Sequence, residues 1–367
     1  MTGLFILASD LGPSGAAKTL ALTVPTLASR SRVAVGVLDR SGGPFDAALD
    51  AARCPPVPLT IRGSLGLGGL GEARRQVGAF RPDVMLAVGP AAVRLAPLLS
   101  RPGNDKRKPC PIIASAASHP GGGLRGWWAR KMLRRADAIV ATTRAEADRY
   151  VQLGIPADRV ELIPPGVRPT PPPPDPVAFR KALDIPAGAR LVIAAGGFDA
   201  AAGLRSAVWA FDVIKYVAPD VYLVLVGDGP GRDRAERFAR DLGFDDYRVR
   251  FTGVRSDVPA LLGLAEVVWV THTHGGVNLA LEAMAAGRPV VALRTPDIAE
   301  VVEDGETGRL VPPADRVGLA AATRELLADP GLAGRLGAAG KAQVAERHSL
   351  TGMTDRYAVL YERTAGG

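Results

Sequence analysis

Short apolar runs alternate along the chain with longer segments in which apolar residues recur every three or four positions. The short runs are typical of buried strands, and the longer segments of amphipathic helices. The predicted strands span 4–8, 33–38, 83–88, 112–114 and 138–141, then 191–195, 222–226, 249–253, 267–270 and 290–293. Because helices follow strands in both halves, the pattern predicts an α/β protein with two doubly wound parallel sheets.

Prolines separate the two halves. The segment 169–176 is proline-dense and is predicted to hold neither a helix nor a central strand, so we expect a stiff linker between two domains. A length of 367 residues also suggests two domains.

Composition narrows the class without naming a function. With 47% hydrophobic and 22% charged residues, the chain has the profile of a soluble globular protein. No apolar run reaches the ~18–20 residues of a membrane span, and residues 1–8 favour a first strand over a signal peptide. Cys54 and Cys110 lack metal or redox spacing, which fits a cytoplasmic protein. A net charge of +8 suits anionic ligands but selects none.

The most informative stretch is 271–302. A glycine-bearing turn at His274, Gly275 and Gly276 leads into an alanine-rich helix that Gly287 and Pro289 end. Such a turn leaves the first helical N–H groups free for an anion, here the amides from Gly275 through Val277, Asn278 and Leu279. Glu282 follows and can accept hydrogen bonds from sugar hydroxyls, although a solvated helix acid is the simpler interpretation.

This stretch resembles the donor site of retaining GT-B glycosyltransferases of family 4. Their pattern is a Glu, seven residues, a second Glu, an alanine-rich helix and a GxPVV strand. Glu282 and residues 283–291 match its second half, whereas His274 replaces the first Glu. The Gly-Asp-Gly-Pro turn at 227–230 and the Phe-Thr-Gly segment at 251–253 are also similar to the family.

The resemblance implies a fold of GT-B architecture: two Rossmann-like domains facing across a cleft. Residues 1–165 would form the acceptor-side domain, 166–188 the linker, and 189–345 the nucleotide-sugar-binding domain. Residues 346–367 would form a helix that packs back on the first domain.

The resemblance also implies a chemistry: transfer of a sugar from a nucleotide diphosphate to an acceptor hydroxyl, with retention and without a metal. The donor is a substrate, so no cofactor is expected. The family's Arg falls on Gly197 and its Lys on Ala202, and the first-domain His falls on Ala117. Charge-assisted contacts contribute about 1.5–3 kcal/mol each, so a catalytically impaired binding or regulatory module is the alternative function. A GT-B epimerase also stays open.

Other positions are candidates of lower specificity. Gly12 and Gly15 in the first strand–helix turn, and Gly196 beside Gly197 in the second domain, either contact the ligand or only turn the chain. The resemblance places Val254 and Arg255 near the nucleotide base. His119 would replace the missing first-domain His only in a reshaped loop, and is otherwise a plain loop residue.

Several side chains could supply positive charge to the phosphates of the donor. A protonated His274 could contact the phosphates, and Arg205 or Arg294 could reach them. His272 and His274 alternate, so both could bind a metal, but no third ligand lies nearby in sequence and no metal site is expected.

The segment 125–135 combines two tryptophans with five basic residues and no acid. On a helix this pattern suits peripheral contact with an anionic membrane, at the inner face for a cytoplasmic protein. Alternatively, its apolar residues face the core and its cations face solvent. No nucleic-acid recognition module accompanies the basic residues. The expected partners are therefore a nucleotide sugar and a lipid-linked or small-molecule glycan acceptor.

Overall fold

The structure is a computed structural model, and it describes residues 2–12, 14–39, 43, 45–61, 69–101, 109–115, 130–199, 202–216, 218–243 and 248–366. The chain divides into two units. The first comprises Met1–Gly166 with Leu350–Gly367, and the second comprises Val167–Ser349.

The first unit is built on a seven-stranded parallel sheet with the order β3-β2-β1-β4-β5-β6-β7. Its strands are β1 Gly3–Ala8, β2 Arg32–Val37, β3 Val57–Pro58, β4 Val84–Val88, β5 Ile112–Ser115, β6 Ala138–Ala141 and β7 Val160–Leu162. Its helices are α1 Gly15–Arg30, α2 Asp46–Ala51, α3 Leu70–Phe80, α4 Pro90–Leu99, α5 Arg144–Gln152 and the C-terminal Leu350–Gly366.

The second unit has a six-stranded parallel sheet with the order β10-β9-β8-β11-β12-β13. Its strands are β8 Arg190–Ala195, β9 Val221–Val226, β10 Val249–Gly253, β11 Val267–Val270, β12 Val290–Leu293 and β13 Gly308–Val311. Its helices are α6 Pro176–Ala182, α7 Leu204–Ile214, α8 Arg232–Asp241, α9 Val258–Leu261, α10 Val277–Ala285, α11 Arg316–Ala328 and α12 Pro330–Arg347; the C-terminal helix of the first unit is then α13.

Apolar side chains cover both faces of each sheet, as the uninterrupted apolar strands require. In the core of the second unit, the indole of Trp269 donates a hydrogen bond to the Thr323 hydroxyl, 2.7 Å away. Because the indole N–H has a partner, the large ring is buried without an unpaired donor.

The proline-dense segment ends in a helix that the sequence analysis did not predict. Pro176 occupies the first turn of α6, where its missing N–H costs nothing, and Asp175 caps the helix by accepting from the amide of Val177. Phe179 of this helix is buried in the core of the second unit. The second half of the 166–188 segment is therefore part of the second unit's packing and not a bare spacer.

The last helix, Leu350–Gly366, completes the first unit. Met353, Tyr357, Leu360 and Tyr361 of α13 are buried with the side chains of β1 and α1. Arg30 also pairs with Asp355 at 2.8 Å on the surface.

Candidate active site

Each sheet reverses its strand order at one position. In the second unit β8 lies between β9 and β11, so the connections on its two sides run in opposite directions along the sheet. Ligands of doubly wound sheets bind at such a position, beyond the carboxyl ends of the strands. The loops that follow β8 and β11 therefore define the candidate site: Gly196–Gly197 on one side and Thr271–Gly276 on the other.

Helix α10 begins at the end of the β11 loop and has no side-chain cap. Its N-cap residue is Gly276, with φ of +83°, and Gly275 before it has φ of +73°. Left-handed backbone is inexpensive for glycine alone, so the two glycines turn the chain directly into the helix. The first turn of α10 carries no acidic residue. Its amides and the helix dipole are thus available to an anion.

Glu282 lies on the same helix, about one and a half turns after its start. The residue is buried, with 5% of its surface exposed. The simpler interpretation of the sequence, a solvated helix acid, is therefore wrong. Carboxylates are rarely this buried in folded proteins, so the burial of Glu282 on the helix that begins at the site is a feature to be explained.

The β8 and β11 loops are tied together by a buried hydrogen bond. The hydroxyl of Thr271 donates to the backbone carbonyl of Ala202 at 2.7 Å. A Cβ on Gly203 would lie 2.2 Å from the carbonyl oxygen of Thr271, so only glycine permits this approach. The turn after β8 is also joined to the turn after β9, because Phe198 donates its amide to the carbonyl of Asp228 and Gly231 donates to that of Phe198.

His272 fills the space between the two glycine turns. A Cβ on Gly276 would lie 2.8 Å from the Cβ of His272, and one on Gly196 would lie 3.0 Å from its Nε2. Burial lowers the pKa of this imidazole to about 4, although the nearby charge of Asp199 acts in the opposite direction. His272 is therefore neutral at pH 7. His274, two residues further along the same loop, is exposed.

The two arginines suggested as sources of positive charge near the phosphates, Arg205 and Arg294, contact other side chains of the described residues. Arg294 pairs with Asp304, and the guanidinium of Arg205 lies 5.0 Å from the ring centroid of Phe238. Gly197 is half-buried and Ala202 is buried, and neither carries a charge.

The predicted base-contacting residues follow β10. The side chain of Val254 is 44% exposed. Arg255 forms two hydrogen bonds to Asp257, at 2.8 and 2.7 Å, and this pairing holds the pKa of the Asp257 carboxyl below its ordinary value. The ion pair fixes the direction of the guanidinium. Its Cζ lies over the ring of Phe179, 5.7 Å from the ring centroid.

The first unit has its own reversal of strand order, between β1 and β4. Here the helix ends are capped: Ser14 accepts from the amide of Ala17 at the start of α1, and Ser9 accepts from Ala91 and Ala92 at the start of α4. Gly12 lies in the β1–α1 connection, where it donates its amide to Asp10, and Gly15 is the first residue of α1. His119 and Ala117 lie outside the described residues.

Lys18 in the second turn of α1 is a residue that the sequence analysis missed. Burial lowers the pKa of its ammonium to about 8. The sequence alone does not reveal that this lysine is buried, because its burial depends on the elements packed around the helix.

Of the basic segment 125–135, the structure describes 130–135, and residues 130–133 are helical. Met132 and Leu133 are buried, whereas Lys131, Arg134 and Arg135 are exposed. This part of the segment is amphipathic, with cations on its outer face. None of the helices in the described ranges is long and apolar enough to cross a bilayer.

Two doubly wound units, one of them with an open helix N-terminus at its strand-order reversal, define the class of α/β proteins that bind ligands beyond the carboxyl ends of their strands. Comparison with known proteins makes this more specific. The chain matches the family model described as Glycosyltransferase Family 4 over residues 13–170, and the one described as Glycosyl transferases group 1 over residues 189–329.

Individual relatives agree with the family models. The GDP-mannose-dependent alpha-(1-6)-phosphatidylinositol monomannoside mannosyltransferase of Mycolicibacterium smegmatis is 32% identical over 270 residues, which cover 70% of this chain and 69% of the relative. The lipopolysaccharide core biosynthesis glycosyltransferase LpsD of Rhizobium meliloti is 33% identical over 226 residues, which span 61% of this chain and 63% of LpsD. The match to LpsD thus spans less than two thirds of that relative's length.

The fold has a solved counterpart. HepE from Anabaena, in a crystal structure with UDP and glucose, aligns with a TM-score of 0.86 and 21% identity, covering 99% of this chain and 100% of HepE. The chain belongs to glycosyltransferase family 4, and its fold is GT-B. The resemblance and the fold class expected from the sequence are both confirmed.

Proposed function

We propose that the protein transfers a sugar from a nucleotide diphosphate sugar to a hydroxyl of a glycan or lipid-linked acceptor, with retention of configuration and without a metal. The single observation that carries this proposal is the uncapped N-terminus of α10 at the β8–β11 reversal, followed on the same helix by the buried Glu282.

The parts of the donor would be divided between these two features. The amides of Val277, Asn278 and Leu279, with the dipole of α10, would hold the diphosphate and stabilise the charge that develops as it leaves. Glu282 would accept hydrogen bonds from the ribose hydroxyls. The base would lie near Val254 and Arg255, after β10.

Metal independence rests on the same helix end, because aligned amides can neutralise a leaving diphosphate in place of a cation. Retention rests on the family resemblance. The names of the relatives, a mannosyltransferase and an LPS core glycosyltransferase, support an acceptor that is a glycan or a glycolipid.

No finding favours the alternative of a non-catalytic binding module, since the named relatives are transferases. The two functions differ in one measurement. Incubation with radiolabelled UDP-, GDP- and ADP-sugars should release the nucleoside diphosphate slowly with water and faster with an acceptor. Saturable binding of a nucleotide sugar without any release would show the binding module instead.

The outer face of the basic segment supports peripheral contact with an anionic membrane that carries the acceptor. Lys131, Arg134 and Arg135 place three exposed cations there, each worth about 1 kcal/mol near an anionic surface. Co-sedimentation should therefore increase with the anionic lipid fraction of vesicles. Equal binding to neutral vesicles would contradict this contact.

A further inference from the structure

The β11 loop carries one ring whose two nitrogens lie in different surroundings. Nδ1 of His272 is enclosed and has no hydrogen-bond partner. Nε2 lies at the other end of the ring, 3.0 Å from where a Cβ on Gly196 would stand. The imidazole therefore extends from the Gly276 turn to the Gly196 turn, across the position where β8 and β11 end.

A neutral imidazole carries a single N–H, and the surroundings decide where it lies. A proton on Nδ1 would leave an enclosed N–H without an acceptor, which is rare in folded proteins. A proton on Nε2 leaves only a lone pair unpaired at Nδ1, which is less costly. The Nε2–H tautomer is therefore favoured, and its donor lies beside the Gly196 turn at the carboxyl end of β8.

We propose that His272 binds the donor as an uncharged hydrogen-bond donor: its Nε2–H contacts a phosphate oxygen of the nucleotide diphosphate held at the start of α10. This inference rests on the proposed function and adds a residue to it. The neutral ring contributes a hydrogen bond without a full charge at a place where Gly197 and Ala202 supply none.

The glycines on either side belong to the same arrangement. A side chain on Gly196 would occupy the space of the imidazole tip, and one on Gly276 would overlap its base. The two glycines thus let the ring lie between the turns. Asp199, in the loop after β8, is the acid whose charge acts on the ring. It is exposed and accepts from the amide of Ala202 at 2.8 Å.

The first test is the tautomer itself. The chain has four histidines, so ¹⁵N-histidine NMR spectra of the wild type and of His272→Gln assign the His272 resonances by difference. We expect an unprotonated Nδ1 and a protonated Nε2, with the Nε2 resonance shifting when UDP is added. A protonated Nδ1, or a resonance indifferent to saturating UDP, overturns the proposal.

The second test uses variants that keep one nitrogen position each. The amide of Gln reaches the Nε2 position, whereas the shorter Asn reaches only that of Nδ1. Affinity for UDP should stay within about threefold in His272→Gln and fall about tenfold in His272→Asn and His272→Leu, the effect of one lost hydrogen bond. Thermal unfolding of each variant checks that it is folded.

Titration of the wild type with UDP distinguishes failure of the role of His272 from failure of the proposed function. Saturable wild-type binding of UDP with three indifferent variants overturns only the role of His272. Absence of wild-type binding to UDP, GDP and ADP overturns the proposed function, and this inference with it.

Discussion

The hydroxyl of Thr271 donates a hydrogen bond to the carbonyl oxygen of Ala202, 2.7 Å away, and so joins the loop after β11 to the loop after β8. Thr271 is 1% exposed and Ala202 is 2% exposed. Because no water reaches this bond, its loss leaves a buried carbonyl unpaired.

Thr271→Val should therefore lower the free energy of unfolding by about 1–3 kcal/mol, the cost of a buried acceptor without a partner. It should also weaken nucleotide binding, because the two loops that form the site are no longer held together. Urea denaturation measures the first effect and calorimetric titration with UDP the second. Thr271→Ser keeps the hydroxyl and is the control; if Val and Ser behave alike, the bond does not hold the loops.

The two glycines before α10 offer a matched pair. Both have positive φ, but a Cβ at Gly275 would meet nothing within 4 Å, whereas one at Gly276 would lie 2.8 Å from the Cβ of His272. Gly275→Ala should cost about 1–2 kcal/mol of stability from backbone strain alone.

Gly276→Ala carries the same strain and the overlap with His272 in addition. It should therefore be the less stable of the two variants by about 1–3 kcal/mol, the usual cost of overpacking, and should bind UDP more weakly. Equal melting temperatures and equal affinities for the pair would show that His272 is not confined by Gly276.

The neutral state of His272 gives the stability a pH dependence of known sign. The pKa of the imidazole falls from 6.5 to about 4 in the folded protein, so between these values the unfolded chain binds the extra proton. Stability is therefore complete above about pH 6.5 and is lost as the pH falls toward 4, by an amount on the order of 3 kcal/mol.

His272→Gln removes this titration, so the difference in unfolding free energy between wild type and variant should change through that window. His274→Gln, on the exposed part of the same loop, is the control. A wild-type-minus-variant difference that is flat from pH 7 to pH 4.5 would contradict the burial of His272.

Restoring a cation beside the site should strengthen donor binding. A Cβ on Gly197 would lie 3.2 Å from the carboxylate of Asp199, so Gly197→Arg places a guanidinium at the Gly196–Gly197 turn and within reach of that acid. We expect about 10–100-fold tighter binding of UDP, from a charge-assisted contact of about 1.5–3 kcal/mol.

The partner substitution Ala202→Lys is a poorer test, because Ala202 is buried and its Cβ lies 3.0 Å from where a Cβ on Gly196 would stand. It should destabilise the fold. Gly197→Gln is the control for Gly197→Arg, because it adds a long polar side chain at the same position without a positive charge. If Gln improves binding as much as Arg does, the charge is irrelevant and position 197 does not face the phosphates.

The sequence predicted most strands of the two sheets because these strands are continuous apolar runs. The strand predicted at 4–8 is Gly3–Ala8 in the structure, and that predicted at 267–270 is Val267–Val270. The two-residue strand Val57–Pro58 was missed, since two residues carry no periodicity. The helix at Pro176–Ala182 was missed because the prolines before it outweighed a short helical pattern.

The candidate site was partly visible in sequence for a similar reason. The turn, the helix and Glu282 are contiguous, so their relationship is local and can be recognised from spacing. The contacts of His272 with Gly196 and of Thr271 with Ala202 join residues some 70 positions apart along the chain. Only the sheet order, which places β8 beside β11, brings them together.

Calorimetric titration of wild type and Glu282→Gln with UDP, GDP and ADP and their sugars tests the central claim most directly. Gln keeps the shape of the buried side chain but weakens it as an acceptor, so it should lower affinity for the preferred nucleotide about tenfold or more. Glu306→Gln, at an exposed loop position, should bind like the wild type. Saturable wild-type binding that only Glu282→Gln impairs is the predicted result. Equal affinity in all three proteins, or no binding by any of them, would contradict a donor site at the start of α10.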